Sequence, residues 1–375
     1  MESSALSTSS GHITAYLDFM VKADASDLFL TVGAQPSIKV NGEVRPLNLP
    51  LLTPVQTRKL VYSVLDESHV RQFEANLECD FAIDLDGLGR FRINVFQQRG
   101  HLAMVVRLIG SKIRSIENLG LPPVLRDMAM LKRGRLLVTG AAGSGKSTTV
   151  AALLDYRNTM SAGHILTVED PIEFLHPHKK SLVTQREVGL DTHSFEQALR
   201  HAMREAPDVI MIGEIRDRVT MQQAMSYAET GHLCVSTLHA NNANQAIERI
   251  LTLFPQDAHH RVLMDLSFNL KGVVGQRLIH GCGKKLVPAV EVMLQSAHVS
   301  ELLLKGQLDM LKEAISKSNG IGMQTFDQSL YALYKAGDIS LEQALENADS
   351  RTDLSLRARL TSGKLPDGAG LAMAT

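Results

Sequence analysis

The chain has 375 residues, of which 44% are hydrophobic and 21% are charged, and its formal net charge is −1. This length allows two or three domains that each bury a core, in a protein of ordinary globular composition. The balanced charge and the lack of basic runs interleaved with aromatic residues disfavour a nucleic-acid motor, so no nucleic-acid partner is expected.

Targeting signals are not found in the sequence. Residues 1–11 are rich in serine and lack the basic and apolar regions of a signal peptide, so we expect a disordered leader. No apolar run approaches the roughly 18 residues needed to cross a bilayer, and no direct membrane insertion is expected. Cys79, Cys234 and Cys282 form no C-x-x-C pair, which favours reduced core thiols in a cytoplasmic protein.

Residues 12–109 carry mainly strand patterns and are expected to form a small α+β domain. Helices are predicted at Ile13–Lys22, Pro54–Leu65 and Glu67–Asn76. The predicted strands are Leu28–Val32, Ser37–Val40, Phe81–Asp84, Gly89–Phe96 and Ala103–Leu108. Asn41–Gly42 is a hairpin turn signal, and Gly110–Pro123 has the composition of a linker.

From residue 124 onward, short apolar runs alternate with helical patterns, which indicates a doubly wound parallel sheet. The predicted strands are Arg135–Val138, His164–Val168, Val209–Ile212 and Leu233–Thr237. Helices are predicted at Thr220–Thr230 and at Ser194–Arg204, where Ser194 and Gln197 have the spacing of a capping box. After about residue 255 the chain is predicted to be mostly helical, at His260–Val274, Ala289–Leu304, Leu308–Asn319, Gln324–Ala336 and Leu341–Ala348. Residues 361–375 are predicted to be a disordered tail.

The segment Arg135–Val150, RLLVTGAAGSGKSTTV, fits G-x-x-x-x-G-K-[ST] between a predicted strand and a predicted helix. Its glycines allow backbone N–H groups to surround a phosphate, and the following helix adds the positive end of its dipole. Lys146 can then reach the β- and γ-phosphates of ATP, and the Ser147 hydroxyl can hold Mg²⁺. The expected ATP-binding residues are Gly140, Ala141, Ala142, Gly143, Ser144, Gly145, Lys146, Ser147 and Thr148.

Two acidic segments come directly after predicted strands. TVEDPIEF, residues 167–174, carries Glu169, Asp170 and Glu173, and a carboxylate near the γ-phosphate can polarise the attacking water. VIMIGEIRD, residues 209–217, places Glu214 after an apolar strand, where an acid can hold Mg²⁺ directly or through water. Solvated acids at strand ends are the alternative, which the order of the segments after a phosphate loop makes weaker.

Histidines provide a third pattern. His232 and His239 flank one predicted strand in TGHLCVSTLHA, and they can contact the γ-phosphate or couple it to a neighbouring subunit. A structural role is the alternative for both. His176 and His178, in LHPHKK, are interpreted as solvated loop residues, and metal binding is not expected there.

The ordered set GAAGSGKST, ILTVEDPIEF, PDVIMIGEIRD and TGHLCVSTLH resembles the Walker A, Asp-box, Walker B and His-box motifs of the secretion and type IV pilus ATPases. ASDLFLTVGAQPSIKVNGEVRPL resembles the PAS-like domain of the PilT/PilU-type branch, so the likeness runs from about Tyr16 to Leu360. Ala297–Lys305, AHVSELLLK, replaces the AIRNLIRE segment of PilT-type motors, and the region after it has the PilU-type form.

The resemblance implies a PAS-like domain at 12–109, a linker at 110–123, and a RecA-like ATPase domain with a helical C-terminal part at 124–360. It also implies a homohexamer with ATP sites between subunits. The partners would be a PilT-like retraction ATPase and the inner-membrane platform protein of the pilus, approached from the cytoplasmic face.

Motif positions transfer roles to individual residues. Glu173 matches the catalytic glutamate of the family, Glu214 its Walker B acid, and His232 and His239 the His-box histidines. Arginines from the N-terminal domain of a neighbouring subunit stabilise charge in the family. The local candidates are Arg90, Arg92, Arg99 and Arg107, of which Arg92 and Arg107 are favoured.

Two rival functions remain open. One is an assembly or secretion ATPase of the extension branch, which usually has an extra N-terminal region and a cysteine-based zinc site, and neither pattern is found here. The other is a nucleotide-dependent adaptor that binds ATP without hydrolysing it. The presence of Glu173 and Glu214 argues against the adaptor.

Overall fold

A computed structural model describes residues 13–40, 42–110, 112–284 and 286–362 of the chain. These residues form two compact units. The first contains the residues up to Lys112 together with Glu173–Leu175, and the second contains Ile113–Ile172 and the residues from His176 onward. The expected leader at 1–11, the turn residue Asn41 and the tail from residue 363 lie outside the described residues, whereas Thr361 and Ser362 belong to the last helix.

The first unit is built on a six-stranded antiparallel sheet with the order β3-β2-β1-β6-β5-β4. Its strands are β1 Asp27–Thr31, β2 Ser37–Val40, β3 Glu43–Pro46, β4 Glu78–Leu85, β5 Gly89–Gln98 and β6 His101–Ile109. Its helices are α1 Ile13–Lys22, α2 Pro54–Tyr62 and α3 Glu67–Asn76. Alternate residues of β5, namely Phe91, Ile93 and Val95, are fully buried, so one face of this sheet packs on a core.

The second unit contains a seven-stranded sheet with the order β13-β12-β7-β11-β10-β8-β9. Six strands are parallel and β13 is an antiparallel edge. The strands are β7 Gly134–Thr139, β8 Gly163–Glu169, β9 Ser181–Glu187, β10 Val209–Ile212, β11 Leu233–Leu238, β12 Leu270–His280 and β13 Leu286–Leu294. The predicted α/β class with a parallel sheet is therefore confirmed.

Helices connect and cover this sheet. They are α4 Val124–Ala129, α5 Lys146–Met160, α6 Phe195–Ala202, α7 Arg218–Glu229, α8 Ala243–Thr252, α9 His259–Asn269, α10 Ala297–Lys305, α11 Leu311–Lys317, α12 Phe326–Ala336, α13 Leu341–Glu346 and α14 Arg351–Ser362. Ser194 caps α6, as predicted, because its hydroxyl accepts the backbone N–H of Gln197 at 3.2 Å. No helix among the described residues is both long and apolar enough to cross a membrane.

The prediction of a mostly helical C-terminal part was wrong at two places. The predicted helix His260–Val274 ends at Asn269 and continues as β12, and the predicted helix Ala289–Leu304 begins as β13. Residues on both faces of β12 are buried, so its apolar run lacks the period-2 alternation that marks a half-buried strand. Strand β9 was also not predicted.

Two predictions about single side chains were also wrong. Cys79 and Cys234 are buried as expected of core residues, but Cys282 is exposed. His176 is not solvated, since burial lowers the pKa of its imidazole to about 4 and leaves its Nδ1 without a partner in the described part of the chain. His178 Nδ1 accepts the backbone N–H of Val183 at 3.1 Å.

Candidate active site

The phosphate loop lies at the carboxyl end of β7, which is buried along its whole length between β11 and β12. Open parallel sheets bind ligands at this edge. Helix α5 begins at Lys146, after Gly145, whose φ of 85° lies in the left-handed region that glycine adopts without strain. The first N–H groups of α5 therefore belong to the loop itself, as expected of an anion-binding helix start.

Close packing around the loop explains its first glycine. A Cβ added at Gly140 would collide with the Ser144 side chain and would lie 2.5 Å from the backbone oxygen of Gln276. The Ser144 hydroxyl is buried without a hydrogen-bond partner among the described residues. A backbone cradle of this kind, with an unsatisfied hydroxyl beside it, fits the phosphates of a nucleotide.

Lys146 is buried and turned toward the loop. Its Nζ donates to the carbonyl oxygens of Gly140 at 3.0 Å and Ala141 at 2.8 Å. These bonds hold the ammonium group against the loop that would surround a phosphate, as the motif predicted. Ser147 and Thr148, the next two residues of α5, are partly exposed beside it.

Glu214 follows β10, and the sheet brings it to the end of the neighbouring strand β11. Its Oε1 lies 2.9 Å from His239 Nε2, and its Oε2 accepts a hydrogen bond from Arg216 Nε at 2.7 Å. Arg216 also lies 3.9 Å from Asp170, which follows β8. The hydrogen bond and charge of Glu214 raise the pKa of Arg216, so its guanidinium stays charged beside the carboxylates.

The other acids after β8 have different surroundings. Glu169 is buried and its Oε1 accepts hydrogen bonds from Thr167 Oγ1 at 2.7 Å and Gln185 Nε2 at 3.2 Å. These bonds give Glu169 a structural role within the sheet. Glu173 is exposed and belongs to the first unit, because Phe174 forms a bridge with Gly110 and Leu175 N donates to Gly110 O.

The two predicted histidines stand at opposite ends of β11. His239 comes after the strand, beside Glu214, whereas His232 comes before it, where its Nδ1 lies 3.1 Å from Thr230 Oγ1. The phosphate loop is at the carboxyl ends of the strands, so the structure brings His239 to that edge and places His232 at the other.

The candidate arginines lie in or beside β5 and β6 of the first unit. Arg92 and Arg107 are direct cross-strand partners. Arg92 forms an ion pair with Asp80 at 2.8 Å, and Arg107 forms one with the buried Asp27 at 2.8 Å. Arg90 pairs with Asp84, while Arg99 has a positive φ of 50° in the turn between the two strands.

Two cavities border the phosphate loop. One of about 370 Å³ lies beside Gly140 and Ala141 and is also lined by His239 and Asn241. The other, of about 280 Å³, is lined by the loop together with Asn241, Gln276, Arg277, Leu278 and Asn347. The sequence analysis did not identify Gln276 or its neighbours, because it assigned this part of the chain to helices and loops. Correct assignment of β12 as a partner of β7 would have placed them beside the loop.

Comparisons with known proteins agree with this site. The family model described as type II/IV secretion system protein matches residues 13–317. The chain is 51% identical over 349 residues to the type IV pilus ATPase PilU of Pseudomonas aeruginosa, covering 92% of this chain and 91% of that protein. It is 44% identical to the type IV pilus retraction ATPase PilT of the same organism, over 90% of this chain and 98% of PilT. A crystal structure of the pilus retraction motor PilT with bound ADP matches with a TM-score of 0.85 and 43% identity, covering 91% of this chain and 98% of that one.

Proposed function

The chain belongs to the type II/IV secretion system protein family, and from that premise we propose that it is an ATP-hydrolysing hexameric motor of a type IV pilus machine. In this proposal it resembles PilU and assists pilus retraction and twitching motility together with a PilT-type motor. The observation that carries the proposal is the 51% identity to PilU over 92% of the chain. The phosphate loop with Lys146 in place makes the chain a P-loop ATPase of this family.

Nucleotide binding is assigned to the segment Gly140–Thr148. Its backbone N–H groups and Lys146 would hold the phosphates of ATP, and Ser147 with Glu214 would hold Mg²⁺. The metal ion would neutralise charge on the phosphate oxygens during hydrolysis. His239 and Arg216 keep Glu214 oriented at the loop's edge of the sheet, and Glu214 acts on the metal directly or through a water molecule.

Hydrolysis is assigned to Glu173 as the general base. Its carboxylate takes a proton from water as the water oxygen bonds to the γ-phosphorus, and the bond to the bridging oxygen breaks to release ADP. Arg92 and Arg107 of a neighbouring subunit are assigned to stabilise the developing charge. His232 and His239 complete the proposed set, with His232 acting toward a neighbouring subunit.

The domain assignment is part of the proposal. Residues 12–109 form a PAS-like domain, residues 110–123 a linker, and residues 124–360 a RecA-like ATPase domain that carries the C-terminal helices. In the hexamer, each N-terminal domain completes an ATP site of the next subunit. The motor acts at the cytoplasmic face of the inner membrane, on the platform protein of the pilus.

The catalytic assignment is tested with the purified protein and Glu173→Ala. We expect the wild type to hydrolyse ATP, and the variant to bind ATP with unchanged affinity but turn over at least about a hundredfold more slowly, because the general base is gone. Glu169→Gln is not a suitable control because Glu169 is buried, so the exposed Asp257→Asn serves instead. Unchanged turnover in Glu173→Ala would contradict the assignment.

The cellular role is tested by deleting the gene and recording pilus dynamics under load, with the cognate PilT-type motor intact or impaired. We expect slower or weaker retraction, restored by the wild-type gene and not by the Glu173→Ala gene. Normal dynamics in every background would refute the role in retraction. A pull-down and ATPase assay with and without the PilT-type motor distinguishes an active motor from a non-hydrolysing adaptor.

A further inference from the structure

Gln276 joins the phosphate loop to a strand that is distant in sequence. It lies on β12, one residue after the Gly275 that pairs in register with Thr139, the last residue before the loop. Only 3% of Gln276 is exposed. Its Oε1 accepts a hydrogen bond of 2.6 Å from the Oγ1 of Thr149, a buried residue in the first turn of α5.

The same residue borders both ends of the loop. A Cβ added at Gly140 would lie 2.5 Å from the backbone oxygen of Gln276, and a Cβ added at Gly145 would lie 2.7 Å from its Nε2. Gln276 therefore packs against the first glycine and the last glycine of the loop, and it is bonded to the helix that follows.

The loop needs an external support because of its composition. Gly143 and Gly145 both have left-handed φ values, of 75° and 85°, and Ala141, Ala142 and Gly143 are exposed. Glycine loses more conformational freedom on ordering than other residues, so a loop of this kind has little internal resistance to rearrangement. A rigid neighbour on a buried strand supplies that resistance.

We propose that Gln276 is a positioning residue for the phosphate loop, acting through Thr149 and the close contacts at Gly140 and Gly145 to keep the loop ready for phosphate. The proposal rests on the ATPase activity of the chain and is independent of its role in a pilus. Because the loop would hold the phosphates both before and during hydrolysis, Gln276 is assigned to uniform binding of substrate and transition state. Loss of uniform binding raises KM and leaves kcat unchanged.

The test uses the full-length protein with Gln276→Leu, which keeps the approximate volume and removes both amide atoms. We expect KM for ATP and Kd for ADP to rise about five- to tenfold, the effect of one lost neutral hydrogen bond and some loop order, with kcat within about twofold of the wild type. A fall in kcat at constant KM would indicate a smaller active fraction and would overturn the proposal, as would unchanged ADP affinity.

Thr149→Val supplies the second variant, since it removes one hydroxyl at nearly constant shape. If Gln276 acts through Thr149, ADP binding weakens in this variant too, and the double variant is weaker by less than the product of the single effects. Should Gln276→Leu fail to fold, the Thr149→Val result decides alone, and wild-type ADP affinity there overturns the proposal.

Gln324→Leu is the matched control. Gln324 Nε2 donates to Val290 O on β13 at 2.8 Å, so this variant removes a glutamine hydrogen bond from the same hairpin without touching the loop. We expect an unchanged KM in this control. ADP titration needs no turnover, so a wild-type protein that lacks ATPase activity would refute the proposed motor and still permit the test of Gln276.

Discussion

At the scale of single residues, the charged groups beside the phosphate loop are held by partners within their own unit. The ammonium of Lys146 donates to two loop carbonyls, and each carboxylate oxygen of Glu214 has its own cationic or imidazole partner. Nucleotide and metal binding must therefore exchange existing contacts. The free energy of binding is the difference between the new contacts and these, which is how one subunit can be made to favour different nucleotide states.

Glu291 is a buried carboxyl that this site uses indirectly. Its Oε1 accepts the backbone N–H of Ala243 at 2.7 Å, at the start of α8, close to Asn241 in the wall of both loop cavities. Burial raises the pKa of Glu291 to about 7. A carboxyl whose pKa is higher in the folded than in the unfolded state binds more protons when folded, so stability falls as pH rises through the interval between the two values.

This gives a prediction for Glu291→Gln. The amide oxygen can still accept the Ala243 N–H but cannot ionise, so the variant should gain about 2 kcal/mol of unfolding free energy relative to wild type between about pH 5.5 and about pH 8. Urea unfolding at the two pH values measures the difference. The exposed Glu342→Gln is the control. A difference from wild type that is the same at both pH values would contradict the ionisation of buried Glu291 as the cause.

At the scale of elements, local signals were sufficient wherever an element had its own caps or one exposed face. Helices Ile13–Lys22 and Glu67–Asn76 and strand Val209–Ile212 have the bounds that the sequence predicted. Asp66 caps the second of these helices by accepting the N–H groups of Ser68 and His69. Such signals lie within a few residues of the element, so they can be read without knowledge of the fold.

The hairpin of β12 and β13 and the contact of Gln276 could not be predicted in the same way. Residues of both strands are buried on both faces, which removes the period on which strand assignment depends. The bond from Thr149 to Gln276 joins residues 127 positions apart. Lys146, Glu214 and His239 were identifiable because their motifs are short, whereas Gln276 reaches the site only through the pairing of β12 with β7.

The glycines of β12 test how tightly this hairpin is packed. A Cβ at Gly275 would lie 3.0 Å from Phe326 Cζ and 3.4 Å from Glu291 Cβ. We therefore expect Gly275→Ala to lower the unfolding free energy by about 1–3 kcal/mol through overpacking. Gly320→Ala, where a Cβ meets nothing within 4 Å, is the control and should change stability little. Equal denaturant midpoints for Gly275→Ala and wild type would show that Phe326 moves aside at no cost.

At the scale of the whole molecule, the proposed catalytic groups are divided between the two units. The phosphate loop and Glu214 belong to the second unit, whereas Glu173 and the candidate arginines belong to the first. Residues Glu173–Leu175 join the first unit although the chain on either side of them belongs to the second. A motor that changes the arrangement of such units during its cycle can couple hydrolysis to movement, because the groups that act on ATP are carried by different bodies.

The proposal that sites are shared between subunits predicts complementation in mixed hexamers. Lys146→Ala removes the phosphate grip, and Arg92→Ala removes the arginine that would act on the neighbouring subunit, so each variant alone should be nearly inactive. In an equal mixture with free subunit exchange, about a quarter of the head-to-tail interfaces combine an intact loop with an intact arginine. We expect ATPase activity to recover toward that fraction.

The measurement is the turnover of the mixture against its unmixed components after subunit exchange, followed by fluorescence energy transfer between labelled subunits. Adding the double variant Lys146→Ala/Arg92→Ala to either single variant should restore nothing, because no interface then contains both groups. Repeating the series with Arg107→Ala determines which arginine acts, since only that substitution can be complemented. A mixture that exchanges subunits and stays as inactive as its components would place the arginine within the same subunit as its loop, and the two units of one chain would then form a complete site.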